Sequence, residues 1–272
     1  MPRYAYLGPA GTFSEEALLS RGIDDLEPVP CASIGDVFEA VERGQADAGI
    51  VPIENSVEGS VPATLDALAF DTSLEIQDEI VLDIHHALIT APGVDLARVE
   101  TVTSHPQATA QARRWLGRNL PGRPVVAANS TAEAVQRAVS DPSVAAVGTR
   151  LAAELYGGEI REPAIEDYAG NQTRFVVIGR GLRERTGADK TSLALFLKRD
   201  KPGALLMILS EFAYGEVNLT KIQSRPTKQA LGEYMFFVDF AGHVDDANVK
   251  TALDCLRMKL REVRVLGSYP RA

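Results

Sequence analysis

Cysteine is almost absent from this chain, which has only Cys31 and Cys255 among its 272 residues. The two lie far apart, and no set of His, Cys and carboxylate residues has the spacing of a metal site. We therefore predict no metal centre. This cysteine content is typical of a protein in the reducing cytosol.

Long apolar runs are also missing. No run approaches the roughly 18 residues that a membrane-spanning helix needs. The N-terminus leads straight into a strand pattern at Tyr4–Leu7 and lacks the apolar core of a signal peptide. The sequence therefore predicts a cytoplasmic protein with no membrane partner.

Positive charge is scarce in the first two thirds of the chain. Residues 1–188 carry 15 basic and 27 acidic residues (net -12), whereas residues 189–272 carry 13 basic and 10 acidic residues (net +3). This balance argues against nucleic acid as a partner. It also means that an anionic substrate would have to be held by a local site.

Short apolar strand patterns alternate with helical patterns through the first 180 residues. The strand patterns lie at 4–7, 48–51, 101–103, 125–128 and 144–147, and the helical patterns near 14–20, 34–43, 108–116, 132–139 and 152–156. Such alternation predicts an α/β domain with largely parallel strands. We interpret residues 74–90, which form one extended stretch, as a crossover between two lobes with a cleft between them.

The pattern changes after a polar linker at 181–190. A strand at 192–198 precedes a helix from Pro202 to about Phe212, two strands at 218–222 and 233–240, a helix capped by Asp245 and a last strand at 264–266. The order βαββαβ predicts a ferredoxin-like domain.

Three predicted helix starts read as capping boxes: Thr12–Glu15, Ser104–Gln107 and Ser130–Glu133. Helix N-termini that follow strands gather at the carboxyl edge of a sheet, where ligands usually bind. Their unpaired N–H groups suit an anion. One capping box only starts a helix, but several together favour an anion-binding cleft.

Polar residues crowd the start of the strand pattern at 176–179. They are Asn171, Gln172, Thr173 and Arg174, followed by Phe175. A guanidinium can bind a carboxylate through two parallel hydrogen bonds, and a threonine hydroxyl can donate or accept a proton. The alternative is a polar turn that leads into a strand.

A second polar cluster, Glu54, Asn55 and Ser56, follows the strand pattern at 48–51. Glu54 would suit general acid or base catalysis if burial raised its pKa, and it would equally suit the cap of a turn. The glycine-bearing turn at 8–14 has the spacing of neither a phosphate loop nor a dinucleotide fingerprint.

Taken together, these motifs resemble the prephenate dehydratase family. The resemblance rests on Gly8–Ser14, Pro52–Ser56, Ser104–Gln107, Ser130–Ala132 and Asn171–Phe175. It implies an α/β fold with a two-lobed catalytic domain, like type II periplasmic binding proteins, at residues 1–183. Lobe 1 would comprise about 1–76 and 163–183, and lobe 2 about 77–162. A ferredoxin-like ACT regulatory domain would follow at 190–272.

The resemblance also implies an activity, the conversion of prephenate to phenylpyruvate, water and carbon dioxide in phenylalanine biosynthesis, without a cofactor. It makes Thr173 the candidate proton donor and Arg174 the residue that holds a carboxylate, while Glu54 or His105 would relay a proton. The implied substrate-binding residues are Thr12, Asn55, Ser56, Ser104, His105, Asn171 and Phe175.

Regulation is implied by the same resemblance. L-Phenylalanine would inhibit by binding an ACT domain, and the chain would form a homodimer or homotetramer through these domains. The implied binding residues are Gly203, Ala204, Leu205, Asn218, Leu219, Ser224 and Arg225. Gln223 stands where this family usually has glutamate, so the strength of regulation is open.

Three alternatives remain at this point. An arogenate dehydratase would act on a substrate with an amino group on its side chain. A cytosolic ligand-binding sensor would use the same fold without chemistry. An amino-acid-responsive DNA regulator lacks the basic segment that it would need.

Overall fold

The computed structural model describes residues 1–228 and 233–272. These residues pack into two compact units: the first unit is Met1–Thr64 with Val81–Phe175, and the second unit is Leu65–Ile80 with Val176–Ala272. The predicted α/β class is confirmed. The boundaries of these units fall inside one helix, Pro62–Asp66, and two strands, Glu75–Asp83 and Gln172–Gly179.

The strands of the described residues are numbered in chain order. They are β1 Arg3–Leu7, β2 Glu27–Cys31, β3 Ala48–Asn55, β4 Gly59–Ser60, β5 Glu75–Asp83, β6 Ala87–Thr90, β7 Thr101–Ser104, β8 Val125–Ala127, β9 Val144–Gly148, β10 Glu159–Glu162, β11 Gln172–Gly179, β12 Asp189–Phe196, β13 Leu219–Pro226, β14 Tyr234–Ala241 and β15 Glu262–Pro270.

The α-helices are numbered in the same way. They are α1 Phe13–Leu19, α2 Ile34–Glu42, α3 Pro62–Asp66, α4 Pro106–Gln111, α5 Arg113–Asn119, α6 Thr131–Ser140, α7 Arg150–Tyr156, α8 Ala204–Tyr214 and α9 Ala247–Lys259. A π-helical turn at Ala67–Asp71 continues α3, and a 3₁₀ turn lies at Leu96–Arg98.

The first unit contains two groups of paired strands. In one, β1 lies parallel to β2 and to β3, and β4 pairs with β3. In the other, the order is β10-β6-β9-β7-β8, where β7 is parallel to its two neighbours and β6 is antiparallel to its own. The carboxyl ends of the parallel strands lead into helices, as the sequence pattern predicts.

Helix α6 shows why these residues form a packed layer. Ala132, Val135 and Ala138 recur at helical spacing and are fully buried in one apolar cluster with residues of β6 and β9. Small side chains on this face let the helix approach the strands closely. Burial of the apolar face, and not helix propensity, therefore stabilises this short helix.

The second unit has strand order β13-β14-β12-β15, and its three pairings are antiparallel. Leu193, Ile208, Phe212, Val238 and Leu253 lie in its core, so α8 and α9 pack on the strands. The βαββαβ order is confirmed. Within this unit β5 also pairs with β15, where a Cβ at Gly267 would overlap the backbone of Ile76.

Several predicted elements differ in the structure. The predicted helix at 108–116 is broken at Ala112 into α4 and α5. The reason is a tertiary cap, because the Asp167 carboxylate accepts hydrogen bonds from the N–H groups of Arg114 (2.8 Å) and Trp115 (3.0 Å) and starts a new helix. Asp246, and not Asp245, directly precedes α9.

The extended stretch predicted at 74–90 is two strands, β5 and β6, separated by Ile84–His86. The sequence reading missed β2, β4, β10, α3, the π-helical turn and the 3₁₀ turn. None of the helices in the described ranges has the length and apolar character to cross a membrane.

Candidate active site

A cavity of about 400 Å³ lies in the first unit, where the ends of β1, β3 and β7 and the start of β11 meet the starts of α1, α4 and α6. Its walls combine apolar side chains with hydroxyls, amides and imidazoles. Five of the predicted site residues line it: Thr12, Asn55, His105, Thr173 and Phe175. The structure thus brings together residues that lie up to 163 positions apart in the sequence.

Asn55, which is buried at the end of β3, has a fixed orientation. Its Oδ1 accepts hydrogen bonds from the backbone N–H groups of Val57 (2.9 Å) and Glu58 (3.0 Å). Since a backbone N–H only donates, the atom that it contacts must be the amide oxygen. The Nδ2 group therefore faces the other way, towards Thr173 and Asn171.

Thr173 receives one of these hydrogen bonds. The Asn55 Nδ2 donates to Thr173 Oγ1 over 2.9 Å. A hydroxyl that accepts from an amide keeps its own proton for another partner. Because Thr173 lines the cavity, this proton is available to an oxygen atom bound there.

Asn171 and Ser56 hold this arrangement from outside the cavity. Asn171 Oδ1 accepts from Asn55 Nδ2 (2.8 Å). The Ser56 N–H donates to the Gln172 carbonyl (2.8 Å), and the Gln172 N–H donates to Ser56 Oγ (2.9 Å). These bonds fasten the turn after β3 to the start of β11.

Arg174 and Glu54 form an ion pair with each other, with 3.7 Å between Nη1 and Oε2. Neither is among the described residues that line the cavity. Alternation along β11 explains this for Arg174, because Thr173 and Phe175 lie on one face of the strand and Arg174 on the other.

The predicted capping boxes differ in outcome. Ser130 does cap α6, since its Oγ accepts from the Glu133 N–H (3.0 Å). Thr12 precedes α1, but its hydroxyl donates to the Leu7 carbonyl (3.0 Å), so its capping role is wrong. Ser104 is also not a cap, because its buried hydroxyl donates to the Val147 carbonyl (2.5 Å).

His105 caps α4 in place of Ser104. Its Nδ1 accepts from the Gln107 N–H over 3.4 Å, and the ring lines the cavity. An acceptor at Nδ1 places the proton of the neutral ring on Nε2. His105 is therefore able to donate a proton or a hydrogen bond from Nε2.

His86 and Gln111 are two cavity residues that the sequence analysis missed. Both are almost fully buried, and His86 Nε2 lies 3.0 Å from Gln111 Oε1. Gln111 Oε1 also accepts from Asn171 Nδ2 (2.9 Å). No local signal in the sequence identifies either residue.

The predicted phenylalanine-binding residues lie in the second unit. Gly203, Ala204 and Leu205 line a shallow cavity of about 520 Å³ beside Phe236 at the start of α8. Asn218 precedes β13 and its carbonyl accepts from Ala241 N–H, while Leu219 and Ser224 lie in the β13–β14 ladder.

Arg225, the last of the predicted phenylalanine-binding residues, makes a bidentate ion pair with Asp66 (2.5 and 2.7 Å). The structure therefore brings three of the seven residues to one cavity. The other four lie along β13 or directly before it.

Helix starts and neutral hydrogen-bond donors around one cavity are the features of an α/β protein that binds a small polar or anionic molecule. The comparisons with known proteins give the particular family. The prephenate dehydratase family model matches residues 4–182. A prephenate dehydratase of Mycolicibacterium vanbaalenii is 43% identical, with 99% of this chain and 91% of the relative covered.

Solved structures agree over the whole length. A prephenate dehydratase from Arthrobacter aurescens, solved in complex with L-Phe, is 42% identical with a TM-score of 0.92, covering 99% of this chain and 90% of that one. A protein described as GqqA, a novel type of quorum quenching acylase, is 29% identical with a TM-score of 0.88, covering 99% and 98%. This chain belongs to the prephenate dehydratase family.

Proposed function

We propose that this chain is a prephenate dehydratase, which converts prephenate to phenylpyruvate, carbon dioxide and water. The proposal rests on the Thr173 hydroxyl, which lines the cavity and accepts from Asn55 Nδ2, so its own proton is left for an oxygen atom bound there. Dehydration needs such a donor, because hydroxide is a poor leaving group.

The reaction follows from the chemistry of the substrate. The bond between the ring and its carboxylate breaks and releases carbon dioxide, and its electron pair completes the aromatic ring. The carbon–oxygen bond at the opposite ring position breaks, and the departing oxygen takes up one proton to leave as water. Thr173 donates to that oxygen in this proposal.

A threonine hydroxyl is a weak acid, so a second group must return a proton to it. His105 suits this relay better than Glu54, because His105 lines the cavity and its Nε2 bears a proton while Nδ1 accepts from the Gln107 N–H. Glu54 is instead paired with Arg174.

The substrate carboxylates meet neutral donors and helix starts in this cavity. The start of α6 contributes here. Ser130 Oγ accepts from the Glu133 N–H, and the N–H groups that come before Glu133 at the start of the helix are available to an anion. Arg174 would hold a carboxylate only after its 3.7 Å pair with Glu54 opens.

The test is a substrate comparison with the purified protein. We expect phenylpyruvate from prephenate and at least tenfold slower conversion of arogenate, since the described residues that line the cavity include no carboxylate for an ammonium group. Binding of prephenate without turnover would instead indicate a sensor. The 29% identical neighbour is described as an acylase, so hydrolysis of an acylated amine is measured as a control. We expect no hydrolysis.

We further propose that L-phenylalanine inhibits the enzyme through the second unit. The cavity at Gly203–Leu205 offers the start of α8 to a carboxylate and Phe236 to an aromatic ring. Leu206→Asp, a 68% exposed residue of this cavity, should weaken phenylalanine binding in calorimetry at least tenfold. Met258→Asp, 71% exposed and outside the cavity lining, is the matched control.

We also propose that the chain associates with itself through the second unit and that the protein is cytoplasmic. Large apolar side chains are exposed on this unit, including Leu206 and Tyr214, and pairing with a second copy would cover apolar surface. Sedimentation of the full chain distinguishes dimer from tetramer, and a monomer at micromolar concentration would contradict the proposal.

A further inference from the structure

A line of hydrogen-bonded side chains runs through the first unit beyond the residues that Thr173 needs. From Asn55 it passes to Asn171 (2.8 Å), then to Gln111 (2.9 Å) and then to His86 (3.0 Å). All four side chains are at most 6% exposed. In a buried line of hydrogen bonds, the groups at the two ends decide which atoms donate and which accept.

The direction can be read from the Asn55 end. Because Asn55 Nδ2 donates to Asn171 Oδ1, the other atom of that amide, Asn171 Nδ2, is the donor to Gln111 Oε1. Gln111 Oε1 is an oxygen and only accepts. His86 Nε2 must therefore carry a proton and donate it to the same oxygen.

The neutral imidazole then has a lone pair on Nδ1. This atom is buried and is without a hydrogen-bond partner in the described part of the chain. Burial lowers the pKa of His86, opposed by the hydrogen bond to Gln111 and the charge of Glu166, so the ring stays neutral. The opposite tautomer would set two lone pairs against each other at Gln111.

The ring is held in place by its backbone and by a neighbour. The His86 N–H donates to Glu166 Oε2 (3.0 Å), and its carbonyl accepts from the Ile165 N–H (2.7 Å). Phe13 meets the ring edge to face at 5.3 Å. The His86 Nε2 atom, which contacts Gln111, is therefore held in a fixed position.

Gln111 is the residue that this arrangement controls. Its Oε1 takes two hydrogen bonds, and its Nε2 contacts Glu58 Oε1 at a long 3.4 Å. An amide nitrogen has two protons, and Gln111 lines the cavity, so its second N–H can reach a bound oxygen.

We propose that His86 is a positioning residue: its Nε2–H holds the Gln111 amide so that the Gln111 N–H faces a substrate oxygen in the cavity. The inference rests on the proposed function, because the bound oxygen is that of prephenate. His86 itself does not touch the reacting atoms. Its effect on the reaction is transmitted through Gln111.

The first test is a double-mutant cycle with the full chain and prephenate. His86→Leu removes the donor and should lower kcat/KM about tenfold, mainly through KM, the scale of one lost positioned hydrogen bond. His86→Gln places an amide N–H near the former Nε2 and should recover most of the loss. In a Gln111→Met background, His86→Leu should change kcat/KM less than about twofold.

If His86→Leu lowered kcat/KM by the same factor in both backgrounds, the inference would be overturned, because His86 would then act by another route. Loss of melting temperature in step with activity, without recovery by His86→Gln, would show a merely structural role and would also overturn it.

The second test does not depend on turnover. Two-dimensional ¹H–¹⁵N spectra of histidine-labelled wild-type protein report the tautomer of each of the four histidines, and His86→Gln assigns the signal of interest. We expect protonated Nε2 and unprotonated Nδ1 from pH 6.5 to 8. A proton on Nδ1 would overturn the inference even if the protein turns over prephenate, whereas absent turnover with the expected tautomer would count against the proposed function alone.

Discussion

The two units use polar contacts in different ways. Around the cavity of the first unit the contacts join neutral groups, such as Asn55, Asn171 and Gln111, each of which passes a hydrogen bond to the next. The second unit contains partly buried ion pairs that close between opposite charges, as Lys190 does with Glu79 at 2.6 and 2.7 Å.

This difference indicates what each set of contacts does. A neutral amide or hydroxyl that is fixed on one side keeps a donor or acceptor for a ligand, whereas an ion pair satisfies both partners. We infer that the neutral line serves chemistry and that the ion pairs serve structure. Substitutions in the two units should therefore separate activity from stability.

The largest effect should come from Thr173→Val, which removes the hydroxyl and keeps the shape. We expect kcat for prephenate to fall about 10²-fold or more, the scale of a positioned proton donor. Thr173→Ser keeps the hydroxyl and is the matched control, with a loss below about tenfold. Equal losses in the two variants would contradict a role for the hydroxyl.

Asp66→Asn in the second unit should show the opposite profile. It breaks the partly buried bidentate pair with Arg225, and we expect a loss of about 1–3 kcal/mol in the free energy of unfolding. Turnover of prephenate without phenylalanine should stay within about twofold of the wild type.

Asp254→Asn is the control for this ion pair. Asp254 pairs with Arg257 at 2.8 Å, but both side chains are about half exposed, so the loss should be below about 0.5 kcal/mol. Urea unfolding of the three proteins makes the comparison. A similar loss for Asp66→Asn and Asp254→Asn would show that the Asp66 pair adds nothing to stability.

The Asp66 contribution should also depend on pH. Burial raises the pKa of this carboxyl, but hydrogen bonds from Arg225 and Lys228 outweigh burial and hold it below its usual 3.8. A lowered pKa in the folded state adds stability that is complete well above 3.8 and is lost as pH falls through the lower value. The stability difference between wild type and Asp66→Asn should thus shrink below about pH 4. A constant difference from pH 7 to pH 3 would contradict this.

A smaller effect than that of Asp66→Asn should come from a structural hydrogen bond in the first unit. Ser33 Oγ caps α2 by accepting from the Asp36 N–H at 3.1 Å. Ser33→Ala should cost about 1 kcal/mol of unfolding free energy, and Ser33→Asn should cost little because it keeps a cap. A fall in kcat with Ser33→Ala would contradict the distinction between hydrogen bonds that serve structure and hydrogen bonds that serve chemistry.

Much of the fold follows from local patterns. Strand and helix alternation predicted the first unit, and the βαββαβ order of the second unit was confirmed. The failures come from tertiary contacts that override local signals. Asp167 starts α5 from outside the helix, and the Val147 carbonyl takes the Ser104 hydroxyl that would otherwise cap α4.

The candidate site shows the same limit. Thr173 and Asn55 lie in polar clusters at strand ends, so the sequence marks them. His86 follows His85 in the predicted crossover and Gln111 lies inside a predicted helix, and their contact spans 25 positions in sequence. Nothing local marks such a pair. The sequence likewise does not mark the ion pair of Arg174 with Glu54, because this pair depends on which face of each strand points away from the cavity.

We infer that Asn55 donates to Thr173 and so leaves the threonine proton for an oxygen atom in the cavity. Asn55→Asp tests it most directly, because an ionised carboxylate accepts from Thr173 and turns that proton away, whereas a protonated carboxyl can donate again. We predict that kcat of Asn55→Asp, divided by that of wild type at the same pH, is about 10² lower at pH 8 and rises as pH falls through the pKa of the new carboxyl. Asn119→Asp, on the surface of the same unit, controls for the added charge. A ratio for Asn55→Asp that stays flat from pH 8 to pH 5 would contradict the account.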